Sequence, residues 1–306
     1  MEQVMRNVLL LMAKNRKANQ LARRYGLRLG AQRFVAGQTL AEAISTVQTL
    51  NAKQLLVTLD HLGESVFTEA EAIQSADACV QTLAAISERG VRSHLSIKLT
   101  QLGMDLSRDL CKENVIRILE EAKKHNNFVR IDMEDYAHNE KTIALFRELH
   151  ATYGNTVGLV IQAYLYKSEK DVAQLGELNA NLRIVKGAYK EDASVAFPNK
   201  ADVDKNFLHL AQQHLANGHY TAIATHDEAI IEQMKQFVAS QHIPKDAFEF
   251  QMLYGIRPQL QQQLALEGYK VRIYVPYGDD WYAYFMRRLA ERPANVSFVV
   301  KSMIHA

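Results

Sequence analysis

The chain has 306 residues, 48% hydrophobic and 23% charged, with a formal net charge of +2. That is the composition of an ordinary soluble globular protein, long enough for one large α/β domain or two average ones. The small net charge, with no basic stripe interleaved with aromatics, excludes a dedicated nucleic-acid binder. Cys79 and Cys111 sit among helix formers and read as reduced thiols rather than a disulfide framework. The apolar patch 8-VLLLMA-13, followed by Lys14, is too short for a membrane span and lacks a secretory cleavage site. A cytoplasmic protein is expected, with peripheral contact at the inner face of a membrane left open.

Residues 1–50 read as helical, with Gly26, Gly30 and Gly37 as punctuation, and the basic segment 14-KNRKANQLARR-24 as a solvated helix face. The pattern then alternates. Short β-branched runs occur at 55-LLVTLD-60, 94-HLSIKLT-100, 128-FVRIDM-133, 157-VGLVIQAY-164, 182-LRIVKGAY-189, 220-YTAIAT-225, 247-AFEFQML-253 and 270-KVRIYV-275. Stretches of helical period separate them, at 70–90, 113–125, 139–154, 168–179, 202–218, 226–241 and 255–268. Eight strands alternating with helices every roughly 25–40 residues predict a parallel sheet, and eight units in about 250 residues suit a (β/α)8 barrel better than a doubly wound sheet. No linker or composition break divides the chain, so 1–306 is expected to be one domain with residues 1–50 as its helical extension.

The last unit, 271-VRIYVPYGDDWYAYFMRRLAERPAN-295, reads as a strand, a Pro276-Tyr277-Gly278 turn that stops it, and a helix opened by Asp279 and Asp280 and ended at Arg292-Pro293. Arg287 and Arg288 point about 100° apart on that helix but can approach one anion from two sides, and guanidinium donors match a carboxylate or phosphate.

In a barrel of this type, catalytic groups sit at the C-terminal strand ends. The polar residues falling there are Asp60, Glu64, Lys98, Thr100, Asp132, Glu134, Asp135, Gln162, Lys186, Tyr189, Thr225, His226, Gln251, Tyr254, Tyr274 and Tyr277. Lys98 interrupts an otherwise apolar strand, which is costly unless it is paired or faces a polar mouth; Asp132 on the next strand is a natural partner. Three acids in 130-RIDMED-135 lack a His or Cys at ligand spacing, so no metal is expected. His209, His214 and His219, spaced by five, read as surface histidines. Gly187 after 183-RIVK-186 permits close backbone approach to a bound group. Neither a G-x-G-x-x-G nor a Walker motif is present. The residues alone therefore predict a cationic mouth for an anion with a flat or apolar portion.

Together, 58-TLDHLGE-64, 96-SIKLTQLG-103, 130-RIDMED-135, 160-VIQAYL-165, 183-RIVKGAY-189, 224-ATHDE-228, 248-FEFQMLYG-255 and 272-RIYVPYG-278 through 284-YFMRRLAER-292 resemble the proline dehydrogenase family of flavoenzymes. The resemblance implies a distorted (β/α)8 barrel whose last helix covers the mouth. It implies oxidation of L-proline to Δ1-pyrroline-5-carboxylate by hydride transfer to N5 of a non-covalent FAD, with a quinone taking the electrons. By the same resemblance, Arg287, Arg288 and Lys98 would hold the substrate carboxylate. Tyr274, Tyr284 and Leu253 would wall the ring, and Asp60, Glu64 and Glu291 would belong to the ion-pair layer orienting the arginines. Arg183 would lie at the flavin N5 edge with Asp132 beside it and Lys98. Gln162, Val185, Lys186, Gly187, Ala188, Tyr189, Thr225, His226, Glu249 and Gln251 would line the FAD. The chain lacks the aldehyde-dehydrogenase domain of the long bifunctional members, which implies a separate pyrroline-5-carboxylate dehydrogenase downstream, and it carries Lys190 where those members have Trp. Two other function classes fit the residues alone: a Schiff-base-forming barrel lyase using Lys98 or Lys186, and a non-catalytic sensor.

Overall fold

The computed structural model describes residues 31–63 and 66–291, the side chains of Ala290 and Glu291 excepted. Eight parallel strands close into a barrel, each paired with the next and β8 with β1. They are β1 (Leu56–His61), β2 (Ser93–Ile97), β3 (Val129–Ile131), β4 (Val157–Gln162), β5 (Leu182–Val185), β6 (Thr221–Ala224), β7 (Phe248–Leu253) and β8 (Val271–Tyr277). Helix α1 (Leu40–Ala52) precedes β1. After the strands come, in order, α2 (Glu69–Glu88), α3 (Arg108–Lys124), α4 (Tyr136–Tyr153), α5 (Ser168–Gly176), α6 (Lys200–Ala216), α7 (Glu228–Ser240), α8 (Pro258–Leu266) and α9 (Trp281–Glu291). The barrel expected from the alternating runs is therefore present, every strand within a few residues of its predicted place. Among the described residues no helix is long and apolar enough to cross a membrane.

The strands keep a period of two. Val57, Leu59, Leu95, Ile97, Val129, Ile131, Phe248, Phe250, Ile273 and Val275 turn outward and join the main core with the helices. The alternate residues meet one another inside the barrel and are mostly polar: Thr58 bonds Ser96, Asp60 bonds Lys98, and Arg272 bonds Glu249. The interior is thus a stack of charged and hydroxyl groups rather than an apolar plug, and it opens at the C-terminal end into the functional cavity.

Several local expectations are corrected. Helix α3 begins at Arg108, not 113, because Ser107 caps it by accepting from Leu110 N. Pro276 and Tyr277 lie within β8, whose end is stitched to an upstream segment by Ala36 N donating to Pro276 O and Gly278 N to Gly37 O. His214 is buried, with Nε2 at 3.0 Å from Ala180 O, and packs 4.9 Å from the His219 ring; it is not a surface histidine. Cys79 and Cys111 are buried free thiols, and burial pushes both up to about 12. The expected helix before residue 31, including the basic 14–24 segment, lies outside the described residues, as do Arg292 and Pro293.

A second, smaller cluster lies at the C-terminal end of the barrel. Ala31, Phe34 and Val35 pack with Leu62, Ile256 and the Trp281, Tyr282, Tyr284, Phe285, Met286 and Leu289 side chains of α9. The Phe34 and Phe285 rings are 6.2 Å apart. Gly255 (φ +76°) makes the close approach possible, since a Cβ there would stand 1.7 Å from the Arg33 carbonyl oxygen. An upstream segment therefore seats the last helix across the mouth.

Candidate active site

A cavity of about 460 Å³ occupies the C-terminal end of the barrel. Within it the strand ends bring together Lys98 (after β2), Asp132 (after β3), Gln162 (β4), Arg183 and Val185 (β5), Gln251 and Leu253 (β7) and Tyr274 (β8). The β5–α6 loop adds Lys186, Gly187, Ala188 and Tyr189, the turn after β6 adds Thr225 and His226, and α9 adds Arg288. The cavity thus holds fifteen of the eighteen expected site residues.

The polar centre is Asp132. Its Oδ1 accepts from Arg183 Nη1 at 2.7 Å, its Oδ2 accepts from the Tyr274 hydroxyl at 2.8 Å, and Lys98 Nζ stands 3.6 Å away. Arg183 is also held by Ser96, Nη2 donating to Oγ at 3.1 Å, and its guanidinium lies 5.4 Å from the Tyr274 ring centre. Lys98 is closer to Asp60, at 2.7 Å, and donates to the Tyr274 hydroxyl at 3.2 Å. Asp60 is thus a closer partner of Lys98 than the Asp132 that the sequence suggested.

Charge states follow from these contacts. Burial works to lower the Lys98 pKa, but the Asp60 and Asp132 carboxylates outweigh it and the ammonium is held above its usual range. The Tyr274 phenol is raised well above its usual range by burial and by the same two carboxylates. Lys98 is therefore a fixed cation, a poor Schiff-base nucleophile, and Tyr274 a fixed donor.

Three expected residues stand elsewhere. Glu249 is buried one layer deeper, bonded to Arg272 Nε at 2.8 Å and to the Tyr220 hydroxyl at 3.1 Å. Tyr284 is buried under Arg288, whose guanidinium lies 5.1 Å from its ring centre, so it backs the arginine. Arg287, half-buried on α9, is near enough to Tyr189 for its charge to act on that phenol, while Arg288 is the one that lines the cavity. Glu64 and the Glu291 side chain lie outside the described residues. The sequence reading gave no role to Ser96, Met133, Val160, Lys200, Ala224, Asp227 or Met252, of which all but Ser96 line the cavity. Lys200 and Asp227 belong to a four-membered ion cluster in which Lys186 meets Asp204 at 2.5 Å and Asp227 at 3.1 Å. Asp227 follows His226 at a strand end and was findable there; Lys200 opens α6 and carries no strand-end signal. Among the described residues no group of three or more His, Cys, Asp or Glu could hold a metal.

The chain matches the family described as proline dehydrogenase over residues 43–301. It is 49% identical over 301 residues to "Proline dehydrogenase 1" of Bacillus subtilis, covering 98% of this chain and 99% of that one. It is 47% identical over 307 residues to "Proline dehydrogenase" of Deinococcus radiodurans, covering 99% of each. Among solved structures, proline utilization A from Bdellovibrio bacteriovorus superposes with a TM-score of 0.80 at 26% identity, over 85% of this chain and 32% of the other.

Proposed function

The chain belongs to the proline dehydrogenase family and is an oxidoreductase acting on proline, and from that premise we propose that it oxidises L-proline to Δ1-pyrroline-5-carboxylate with a non-covalently bound FAD, a quinone being the final electron acceptor. The observation that carries the reading is the charge of the cavity. Lys98, Arg183, Lys186, Lys200 and Arg288 line it with Asp132 and Asp227, and Asp60 and Asp204 pair with Lys98 and Lys186 from behind the lining, which leaves five cations to four carboxylates beside apolar wall from Met133, Val160, Met252 and Leu253. A small carboxylate and a flat, phosphate-bearing cofactor are the kind of ligands such a chamber suits.

The residues present fit FAD. Gln162 Oε1 and Arg183 Nε are buried at the cavity with no hydrogen-bond partner among the described residues, an acceptor and a cationic donor that a heteroaromatic ring could engage. Lys186 and Lys200, further along the same cavity, would hold its anionic part. When bound, FAD supplies the acceptor for the hydride from C5 of proline.

The chain's own groups do the rest. Lys98 and Arg288, with Arg287 on the same helix, bind the substrate carboxylate from more than one side, and Tyr274 and Leu253 limit the ring. Asp132 orients Arg183 and Tyr274 through two short hydrogen bonds, which fixes the floor on which the ring rests. Lys98 and the Tyr274 hydroxyl both keep their protons, so neither serves as the base for the substrate amine. Helix α9 narrows solvent access. The product is the substrate of a pyrroline-5-carboxylate dehydrogenase. On the same reading the protein is cytoplasmic and reaches its quinone at the inner face of a membrane.

Anaerobic addition of L-proline to the purified yellow protein should bleach the flavin band, and a soluble quinone analogue should restore it faster than air. A colourless protein trapped on a lysine by borohydride with substrate would instead establish the lyase.

A further inference from the structure

Two glutamines at the cavity have their amide orientation decided by groups that can only accept. Gln162 Nε2 donates to Glu134 O at 2.9 Å and Met133 O at 3.5 Å, which leaves Gln162 Oε1 buried without a partner. Gln251 Nε2 donates to the Glu249 carboxylate, and a carboxylate cannot donate back. Glu249 is itself pinned from three directions, by Gln251, by Arg272 Nε at 2.8 Å and by the Tyr220 hydroxyl at 3.1 Å, and Arg272 Nη1 is tied to Val57 O at 2.8 Å. Burial opposes its charge, but Arg272 holds the Glu249 carboxyl well below the usual range, so it stays an anion and an acceptor. All four glutamine and ion-pair side chains are nearly inaccessible to solvent, at 2–5% exposure, so neither amide has water to rotate against. Gln251 and Arg272 are paired across β7 and β8, which sets the pair directly beneath the cavity floor.

We propose that Glu249, anchored by Arg272, is a positioning residue that locks Gln251 with its carbonyl oxygen toward the cavity, making with Gln162 two fixed acceptors that select a ligand bearing N–H or O–H donors there. The proposal rests on the FAD reading above. Oxidised flavin carries one ring N–H and its side chain several hydroxyls, so both acceptors can be met, whereas a ligand presenting only acceptors would be refused.

The test uses apoprotein titrated with FAD and followed by flavin fluorescence quenching, alongside apoprotein Tm. Gln251→Met should weaken FAD about tenfold through loss of the acceptor. Glu249→Gln should weaken it by a similar factor, because the neutral partner lets the Gln251 amide turn over, and the double variant should be no weaker than Gln251→Met alone. Where Glu249→Gln does not fold, Glu249→Asp keeps the charge on Arg272 and withdraws the acceptor from Gln251, and takes its place in the cycle. A lowered Tm with unchanged FAD affinity, additive losses in the double variant, or an unchanged Kd in Gln251→Met would each overturn the proposal. No saturable quenching in the unaltered protein would instead overturn the flavin reading on which it rests.

Discussion

Gly187→Ala is the substitution whose consequences the geometry specifies most fully. Gly187 has φ +112°, and a Cβ built there would lie 2.2 Å from Cδ1 and 2.5 Å from Cε1 of Tyr164. The ring cannot swing aside at low cost. Tyr164 is 7% exposed, its backbone N donates to Lys186 O at 2.9 Å, its carbonyl accepts from Phe197 N at 2.8 Å, and its hydroxyl reaches Glu191 at 3.3 Å. Backbone strain of about 1–3 kcal/mol and an overpacking cost of about 1–3 kcal/mol add to roughly 4 kcal/mol in total. For a chain of 306 residues, that is a fall in Tm of roughly 6 °C. The loop can escape part of this cost by lifting, and since it carries Lys186, Ala188 and Tyr189, lifting widens the cavity. FAD affinity should then drop about tenfold or more. Calorimetry of the holoprotein and fluorescence titration of the apoprotein measure the two effects. Adding Tyr164→Ala to Gly187→Ala should restore FAD affinity in part, because it removes the collision but not the strain. Unchanged Tm and unchanged FAD affinity in Gly187→Ala would refute the steric account.

Ser96→Ala removes one of the two side-chain anchors of Arg183 while leaving the Asp132 contact, so flavin reduction in a single turnover should slow about three- to tenfold with little change in proline KM; an unaltered reduction rate would remove Ser96 from the site. Arg288→Lys and Arg287→Lys should chiefly raise proline KM, since a lysine cannot make the forked contact, and steady-state kinetics in which both variants keep the original KM would exclude the carboxylate clamp. His138 bridges Asp105 (2.8 Å) and Asp135 (2.5 Å) across two loops of the mouth; burial alone would lower its pKa, but the two hydrogen-bonded carboxylates leave it raised. A raised folded pKa means its stabilising contribution is fully present below the unfolded value of about 6.5 and is lost as pH rises through the folded one. Tm measured upward from pH 6 should accordingly fall more steeply in the unaltered protein than in His138→Gln, and parallel curves would show that the bridge carries no stability.

The barrel was legible because each strand announces itself twice, by its β-branched run and by the turn residues around it. The anomaly of Lys98 was equally plain, since a lysine in an apolar run must find anions. Which anion it finds was not: Asp60 lies on β1 and Asp132 just after β3, one on either side of β2, and the register that sets Asp60 beside Ser96 goes with Asp60 as the closer partner. Glu249 was assigned to the cavity with Gln251 by the family resemblance of 248-FEFQMLYG-255. A period of two gives the face but not the depth, and two residues along a strand amount to about 6.6 Å. Ser96 was passed over as one small residue in a run, though its hydroxyl joins Thr58 to Arg183. His214 lies beside Leu210, Ala211 and Leu215 on the buried side of α6, a placement that spacing among histidines could not reveal.

The cover over the mouth has a kinetic consequence. Phe34 and Phe285 are about 250 residues apart in sequence, and nothing local holds them together. Such a contact can form only after the strands between have brought the ends close, so the cluster joining the 31–35 segment to α9 assembles late. Among the described residues it is also small, eleven buried side chains beside the much larger barrel core. On those grounds the cluster is expected to open first on warming, as a local unit, and hydrogen exchange of α9 faster than of the strands would show it. Arg288, carried by that helix, would leave the cavity while β1 to β8 are still intact. Loss of proline affinity should therefore precede loss of the barrel, so that a closure made between the early and late parts of the chain would set the working lifetime.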